Sequence, residues 1–219
     1  MKHIFLAGGG SEKESRKIDE KFVETIDLAK PLAYIPNAAQ DSKYRGCLNW
    51  FMSVMDQLKV KNIEMWESLV PQHPEDQIGG IYLGGGDTQK LLKELRKSGF
   101  TDYLILAVEA GVPIYGGSAG AIVLGKDIRT YGALYDSDSQ NLKGLDIAFG
   151  YSIACHYKVG RSPQISKLVE KLDCKIIAIP EKSGVYLRGK ELSVFGEEPT
   201  YIFNGEKASV LNPRETYRF

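Results

Sequence analysis

Val112-Pro113-Ile114-Tyr115-Gly116-Gly117-Ser118-Ala119-Gly120-Ala121-Ile122-Val123-Leu124 decides how the rest of the chain reads. It opens as an apolar strand and closes as an apolar, helix-compatible run. Between them, Gly116-Gly117-Ser118-Ala119-Gly120 fits G-x-S-x-G, a pattern in which a strand turns abruptly into a helix and presents a serine at the bend. The residues beside that serine must be tiny, because the strand and helix backbones nearly touch. The free N–H groups at the helix start then lie beneath the seryl oxygen and favour a developing oxyanion. The same residues also fit a tightly packed β–α turn in which Ser118 is only a helix N-cap.

Outward from this bend, short apolar runs alternate with amphipathic stretches. Strands are expected at 4–7, 32–35, 63–66, 80–83, 112–116, 151–155 and 176–179. Helices are expected after Ser11, with Glu14 as its capping-box partner, and at about 44–58, 102–110 and 164–172. The first helix would bury Ile18, Phe22, Val23 and Ile26, the second Leu48, Phe51, Met52 and Met55. This alternation predicts an α/β fold, a mostly parallel sheet sandwiched by helices. From Val185 onward, alternating residues with turns at Gly189-Lys190 and Asn204-Gly205 predict C-terminal β-hairpins. No internal repeat or low-complexity linker interrupts the pattern, so residues 1–219 are expected to form a single domain.

The charges balance, 28 basic against 28 acidic. No global field draws the chain to nucleic acid or to an acidic membrane, and neither is expected as a partner. Cys47, Cys155 and Cys174 match no zinc or redox spacing and imply no disulfide framework. The apolar start, Ile4 to Ala7, is too short for a signal peptide, and no apolar run approaches the roughly 20 residues that span a bilayer. A cytoplasmic location is expected.

A seryl hydroxyl at neutral pH needs an adjacent base, and histidine is the usual one. The chain has three histidines. His3 begins the first strand, and His73 lies in the Pro71-Gln72-His73-Pro74 turn. His156 follows the apolar strand Ser152-Ile153-Ala154-Cys155 and so emerges at a strand's carboxyl end, where sites form in open α/β sheets. The imidazole in turn needs a carboxylate to hold its tautomer. Glu181, after strand Ile176-Ile177-Ala178-Ile179 and Pro180, is the favoured candidate. Asp136 and Asp138 are its rivals.

Gly84-Gly85-Gly86-Asp87-Thr88 also joins a strand to a helix. It lacks both G-x-G-x-x-G and phosphate-loop spacing. It fits instead the second half of an oxyanion hole, with N–H donors from Gly86 and Ala119. A tight turn with Asp87 or Thr88 as N-cap is compatible with that role. Arg161, in Gly160-Arg161-Ser162-Pro163, follows the candidate base and suits bidentate recognition of a substrate carboxylate. A solvated surface arginine fits the sequence equally.

The order Gly-Gly-Gly-Asp-Thr (84–88), Gly-Gly-Ser-Ala-Gly-Ala (116–121), a strand-end histidine (156) and Pro-Glu (180–181) resembles the peptidase E (aspartyl dipeptidase) and cyanophycinase family. The resemblance implies a three-layer, flavodoxin-like fold of the class I glutamine-amidotransferase type, with serine in place of the nucleophilic cysteine. It implies a triad of Ser118, His156 and Glu181, or an aspartate of the loop after the bend as third member. It implies no metal and no cofactor. The substrate it implies is a small peptide with an N-terminal aspartate, whose side chain Arg161 would help to read. An esterase or amidase on small metabolites, or a non-catalytic binding module of the same fold, are the competing expectations.

Overall fold

Along β1 (His3–Ala7) successive side chains enter two different apolar clusters, Ile4 and Leu6 one, Phe5 and Ala7 the other. Such a strand is buried on both faces, the signature of a sheet covered on both sides. The computed structural model describes residues 1–135, 137, 140–205 and 208–218. After β1 come α1 (Arg16–Val23), β2 (Leu32–Ile35), α2 (Tyr44–Asp56), β3 (Ile63–Met65), β4 (Gly80–Leu83), α3 (Thr88–Ser98), α4 (Phe100–Glu109), β5 (Ile114–Gly117) and α5 (Ala119–Leu124). The second half holds β6 (Ser152–Ala154), α6 (Ser162–Leu172), β7 (Ile176–Ala178), β8 (Ser183–Arg188), β9 (Glu191–Gly196), β10 (Thr200–Phe203), β11 (Ala208–Leu211) and β12 (Thr216–Arg218).

Eight strands form one sheet in the order β12-β9-β8-β1-β5-β4-β2-β3, and four form another in the order β11-β10-β7-β6. Helices α1 and α2 cover one face of the larger sheet through Ile18, Phe22, Phe51 and Met55. Helices α3, α4 and α5 cover the other through Leu91, Leu95, Leu104 and Val123. Helix α6 packs on the smaller sheet, Ile165 and Leu168 against Ala154, Ile176 and Phe203.

The expected mostly parallel sheet is corrected to two mixed sheets. Strands β1, β5, β4, β2 and β3 are parallel throughout. Strands β8, β9 and β12 extend that core antiparallel, and in the smaller sheet only β6 and β7 pair in parallel. The cause lies in the connections. Strands joined by a tight hairpin must run antiparallel, whereas parallel neighbours need a crossover of a dozen or more residues. The C-terminal hairpins therefore add antiparallel strands wherever they dock.

Two helix expectations also shift. The Glu14 carboxylate does reach back to the Ser11 N–H at 2.8 Å, but the Ser11 hydroxyl donates to the same carboxylate. The pair closes a turn ahead of α1, which begins only at Arg16. On α2, Met52 is exposed and Val54 takes the buried place. Among the described residues no helix is long and apolar enough to cross a membrane. The three cysteines are free thiols.

Candidate active site

The bend after β5 is built from close backbone contacts. A Cβ on Gly116 would lie 2.5 Å from the Ala121 nitrogen, and one on Gly120 would lie 2.3 Å from the Leu83 carbonyl oxygen. Only glycine lets β5, β4 and α5 meet so closely. Ser118 sits between them at φ +50°, ψ −108°, a sparsely populated conformation that costs about 1–3 kcal/mol. Two backbone bonds hold it: its N–H donates to Ala7 O at 3.1 Å, and Ile122 N–H donates to Ser118 O at 3.0 Å.

The base and the carboxylate arrive together from the smaller sheet. Parallel pairing of β6 and β7 sets Ala154 beside Ala178, so that His156 and Pro180 leave the sheet side by side. His156 turns at φ +51°, and its N–H donates to Gly8 O across the gap between sheets at 2.9 Å. Its Nε2 lies 2.8 Å from Ser118 Oγ, and its Nδ1 lies 2.9 Å from Glu181 Oε1. The His156 and Glu181 side chains are 44% and 48% exposed, so solvent screens their attraction until a substrate covers them. His3 and His73 are engaged elsewhere, with the Tyr186 hydroxyl and with Glu64. Asp136 and Asp138, the rival third members, lie outside the described residues.

Sequence reasoning passed over the loop that knits this relay together, Gly8-Gly9-Gly10. In-register pairing of Ala7 with Gly117 delivers it beside the bend. A Cβ on Gly8 would lie 1.9 Å from Pro180 O, one on Gly10 would lie 2.5 Å from Glu181 O, and one on Gly9 would lie 2.6 Å from His156 Nε2. The signal was present: three glycines at the carboxyl end of a buried strand, as at Gly84-Gly85-Gly86.

A cleft of about 470 Å³ opens over Ser118 and His156 and takes in Gly86, Thr88, Tyr135 and Arg161. Gly86, at φ +142°, has a conformation closed to other residues, since a Cβ there would meet Ala38 O at 2.3 Å. Ala119 is the first residue of α5, where a helical N–H finds no carbonyl within its own helix. Asp87 caps α3 by accepting from Lys90 N–H, as the tight-turn reading expects. Arg161 donates to Cys155 O and His156 O at 3.4 and 3.2 Å, and its guanidinium lies over the Tyr135 ring at 5.4 Å. Burial pulls its pKa down from the ordinary value. Among the described residues no carboxylate pairs with it. The hydroxyls of Thr88 and Tyr135 are buried without a hydrogen-bond partner among the described residues. Arg161 thus brings a positive charge to the cleft over Ser118 with only backbone carbonyls as its hydrogen-bond acceptors among the described residues. Tyr135 was absent from the sequence-based candidates because it lies in a polar, irregular stretch. Burial pushes the thiol of Cys155, in the same cleft, well up, so it stays protonated beside the serine. Among the described residues no cluster of three or more histidine, cysteine or acidic side chains could hold a metal ion.

The sequence and the fold have counterparts among known proteins. The model of the family described as Peptidase family S51 matches residues 4–195. Peptidase E of Shewanella sp. (strain W3-18-1) is 30% identical over 210 residues, covering 86% of this chain and 86% of its own. Peptidase E of Shewanella baltica (strain OS185) is 29% identical over 210 residues with the same coverage. The crystal structure of a peptidase from an acI-B1 Actinobacterium matches with a TM-score of 0.81 at 18% identity, covering 100% of this chain and 97% of that one, a likeness of fold.

Proposed function

Because the chain belongs to peptidase family S51, we propose that Ser118, His156 and Glu181 carry out its peptide hydrolysis through an acyl-enzyme. The chain is a serine-type peptidase. The observation that carries the mechanism is the unbroken relay from Ser118 Oγ to His156 Nε2 at 2.8 Å and from His156 Nδ1 to Glu181 Oε1 at 2.9 Å. With Glu181 ionised, Nδ1 carries the proton and donates to it, leaving Nε2 to accept from the seryl hydroxyl. Ser118 Oγ attacks the peptide carbonyl carbon as Nε2 takes its proton. The N–H groups of Ala119 and Gly86 hold the resulting oxyanion. Nε2–H then protonates the departing amine, the C–N bond breaks, and water hydrolyses the ester by the same steps in reverse order of partners.

The substrate we propose is a small peptide with an N-terminal aspartate. Arg161, which lines the cleft over Ser118, would bind the aspartate carboxylate. The name Peptidase E carried by the relatives supports a peptide as the substrate class. The parallel core strands, covered by helices on both faces and ending in the serine bend, support a glutamine-amidotransferase-like, flavodoxin-type three-layer class for the fold.

Ser118→Ala is the decisive variant. It is expected to fold, and to lose on the order of 10⁴-fold or more in kcat. It is also expected to lose stoichiometric labelling by a small serine-reactive electrophile. Hydrolysis retained in that variant ends the proposal. A panel of Asp-X dipeptides, other dipeptides and activated esters reads the specificity: preference for Asp-X that Arg161→Met erases is the expected result.

A further inference from the structure

Ser118 borders a second cleft, of about 120 Å³, which shares no other lining residue with the larger one. The two open on different layers. The larger is walled partly by Ile122 and Cys155, on the side of the sheet that carries α5. The smaller is walled by Tyr82 and Tyr115, which pack beneath α1 and α2, and by Trp50 of α2. Its backbone edge is Gly9, Gly85 and Gly117.

Three observations give this cleft a role. Gly9 lies against the imidazole, its missing Cβ 2.6 Å from Nε2, and Nε2 is the atom that must hand a proton to the departing amine. His156 itself lines only the larger cleft, but Ser118 and Gly9, both against its imidazole, line this one, so a side chain carried by the departing amine can extend into it. Trp50 is 44% exposed, a large apolar residue presented to solvent at the mouth of a catalytic serine. Among the described residues no charged side chain lines the cleft, so a charged side chain entering it would lose hydration without gaining a partner. Cavities of about 150 Å³ admit benzene, so the observed volume admits one aliphatic side chain.

We propose that this cleft is the leaving-group subsite, and that Trp50 selects peptides whose second residue carries an apolar side chain. The proposal rests on the peptidase reading above. The chemistry makes its effect separable. Once the amine has left with its proton from Nε2, the acyl-enzyme retains no trace of the second residue. The subsite can therefore act on acylation and not on deacylation.

The test holds the N-terminal residue at whichever one the enzyme cleaves fastest and varies the second among Leu, Gly, Asp and Lys. All four products carry the same terminal carboxylate, so its contribution cancels in the ratios. The wild type is expected to favour Leu over Gly, Asp and Lys by roughly tenfold or more in kcat/KM. Trp50→Ala is expected to bring the Leu/Gly ratio to within about twofold, and Trp50→Phe to restore most of it. The post-burst rate with an activated ester of the same N-terminal residue reports deacylation. A post-burst rate that falls in step with the ratio assigns Trp50 a merely structural part and overturns the proposal, as does an unchanged ratio in Trp50→Ala. Hydrolysis indifferent to the second residue defeats the subsite alone. No hydrolysis of any peptide, together with no labelling of Ser118, defeats both this inference and the peptidase reading.

Discussion

A single methyl group at residue 9 would reach the reacting pair directly. Gly9 holds φ at +98°, and a Cβ there would stand 2.5 Å from His156 Cε1 and 2.9 Å from Ser118 Cβ. Gly9→Ala therefore meets two penalties, backbone strain of about 1–2 kcal/mol and displacement of the imidazole. A misplacement of about 1 Å costs on the order of 100-fold in rate, and that loss is the expected effect on kcat. The thermal midpoint is expected to fall by only a few degrees, because strain of this size is spread over a large domain. Kinetics and a melting curve on the same preparation check both. Undiminished kcat would show that the relay can move aside freely and that Gly9 does not fit closely against it. The three side chains that meet here could be picked out at this scale because serine, histidine and glutamate each stand at a strand's end, a position read from apolar runs alone. Gly9 was not legible, because its importance comes from a neighbour 147 positions away in the chain.

Between elements, the tie that orients the serine bend is a buried carboxylate. Helix α1 sends Asp19 into the core, 2% exposed. It accepts from the Tyr115 hydroxyl at 2.6 Å and the Ser15 hydroxyl at 2.8 Å. Tyr115 lies on β5 three residues before Ser118, its ring stacked on Tyr82 of β4 at 4.3 Å. Burial pushes the Asp19 pKa up to about 6 from 3.8, against the opposing pull of these two hydrogen bonds and of Arg16, while nearby Glu20 adds to the rise. The folded state thus holds this proton to higher pH than the unfolded chain does. The stabilising contribution is complete below about pH 4 and is lost as pH rises through 6, a difference on the order of 3 kcal/mol. Asp19→Asn stays neutral throughout. Its melting temperature relative to the wild type is expected to climb by several degrees between pH 4 and pH 7.5, and a constant offset across that range would refute the assignment. The existence and order of these elements was readable from periodicity, β2 and β4 to the residue. Pairing direction was not, because a short strand buried on both faces gives the same apolar run whether its neighbour runs parallel or antiparallel.

Over the whole molecule, the site exists only where two sheets meet. Ser118 and Gly9 belong to the ends of β5 and β1, His156 and Glu181 to the ends of β6 and β7. The sheets share an apolar interior, in which Ile153, Ile177 and Ile202 of the smaller sheet join one cluster with Ile122 of α5 and Ile4 and Val185 of the larger. Polar contacts seal the rim: His156 N–H to Gly8 O at 2.9 Å, and the buried Ser183 and Thr200 hydroxyls at 3.0 Å. Nothing in the local sequence of β6 or β7 announces the change of sheet, since each is three buried apolar or small residues. The seam is tightest at Gly8, where a Cβ would press to 1.9 Å from Pro180 O. Gly8→Ala acts as a wedge there. Overpacking of this kind costs about 1–3 kcal/mol, and the opening it forces should be local, because β1 stays hydrogen-bonded to β5 and β8 on either side. Amide hydrogen exchange distinguishes the two outcomes. The His156 amide is expected to exchange at least about tenfold faster in the variant, while the Leu6 and Ile114 amides inside the larger sheet keep their protection. Equal acceleration at all three would mean that the chain loosens as one body and that the seam has no separate stability.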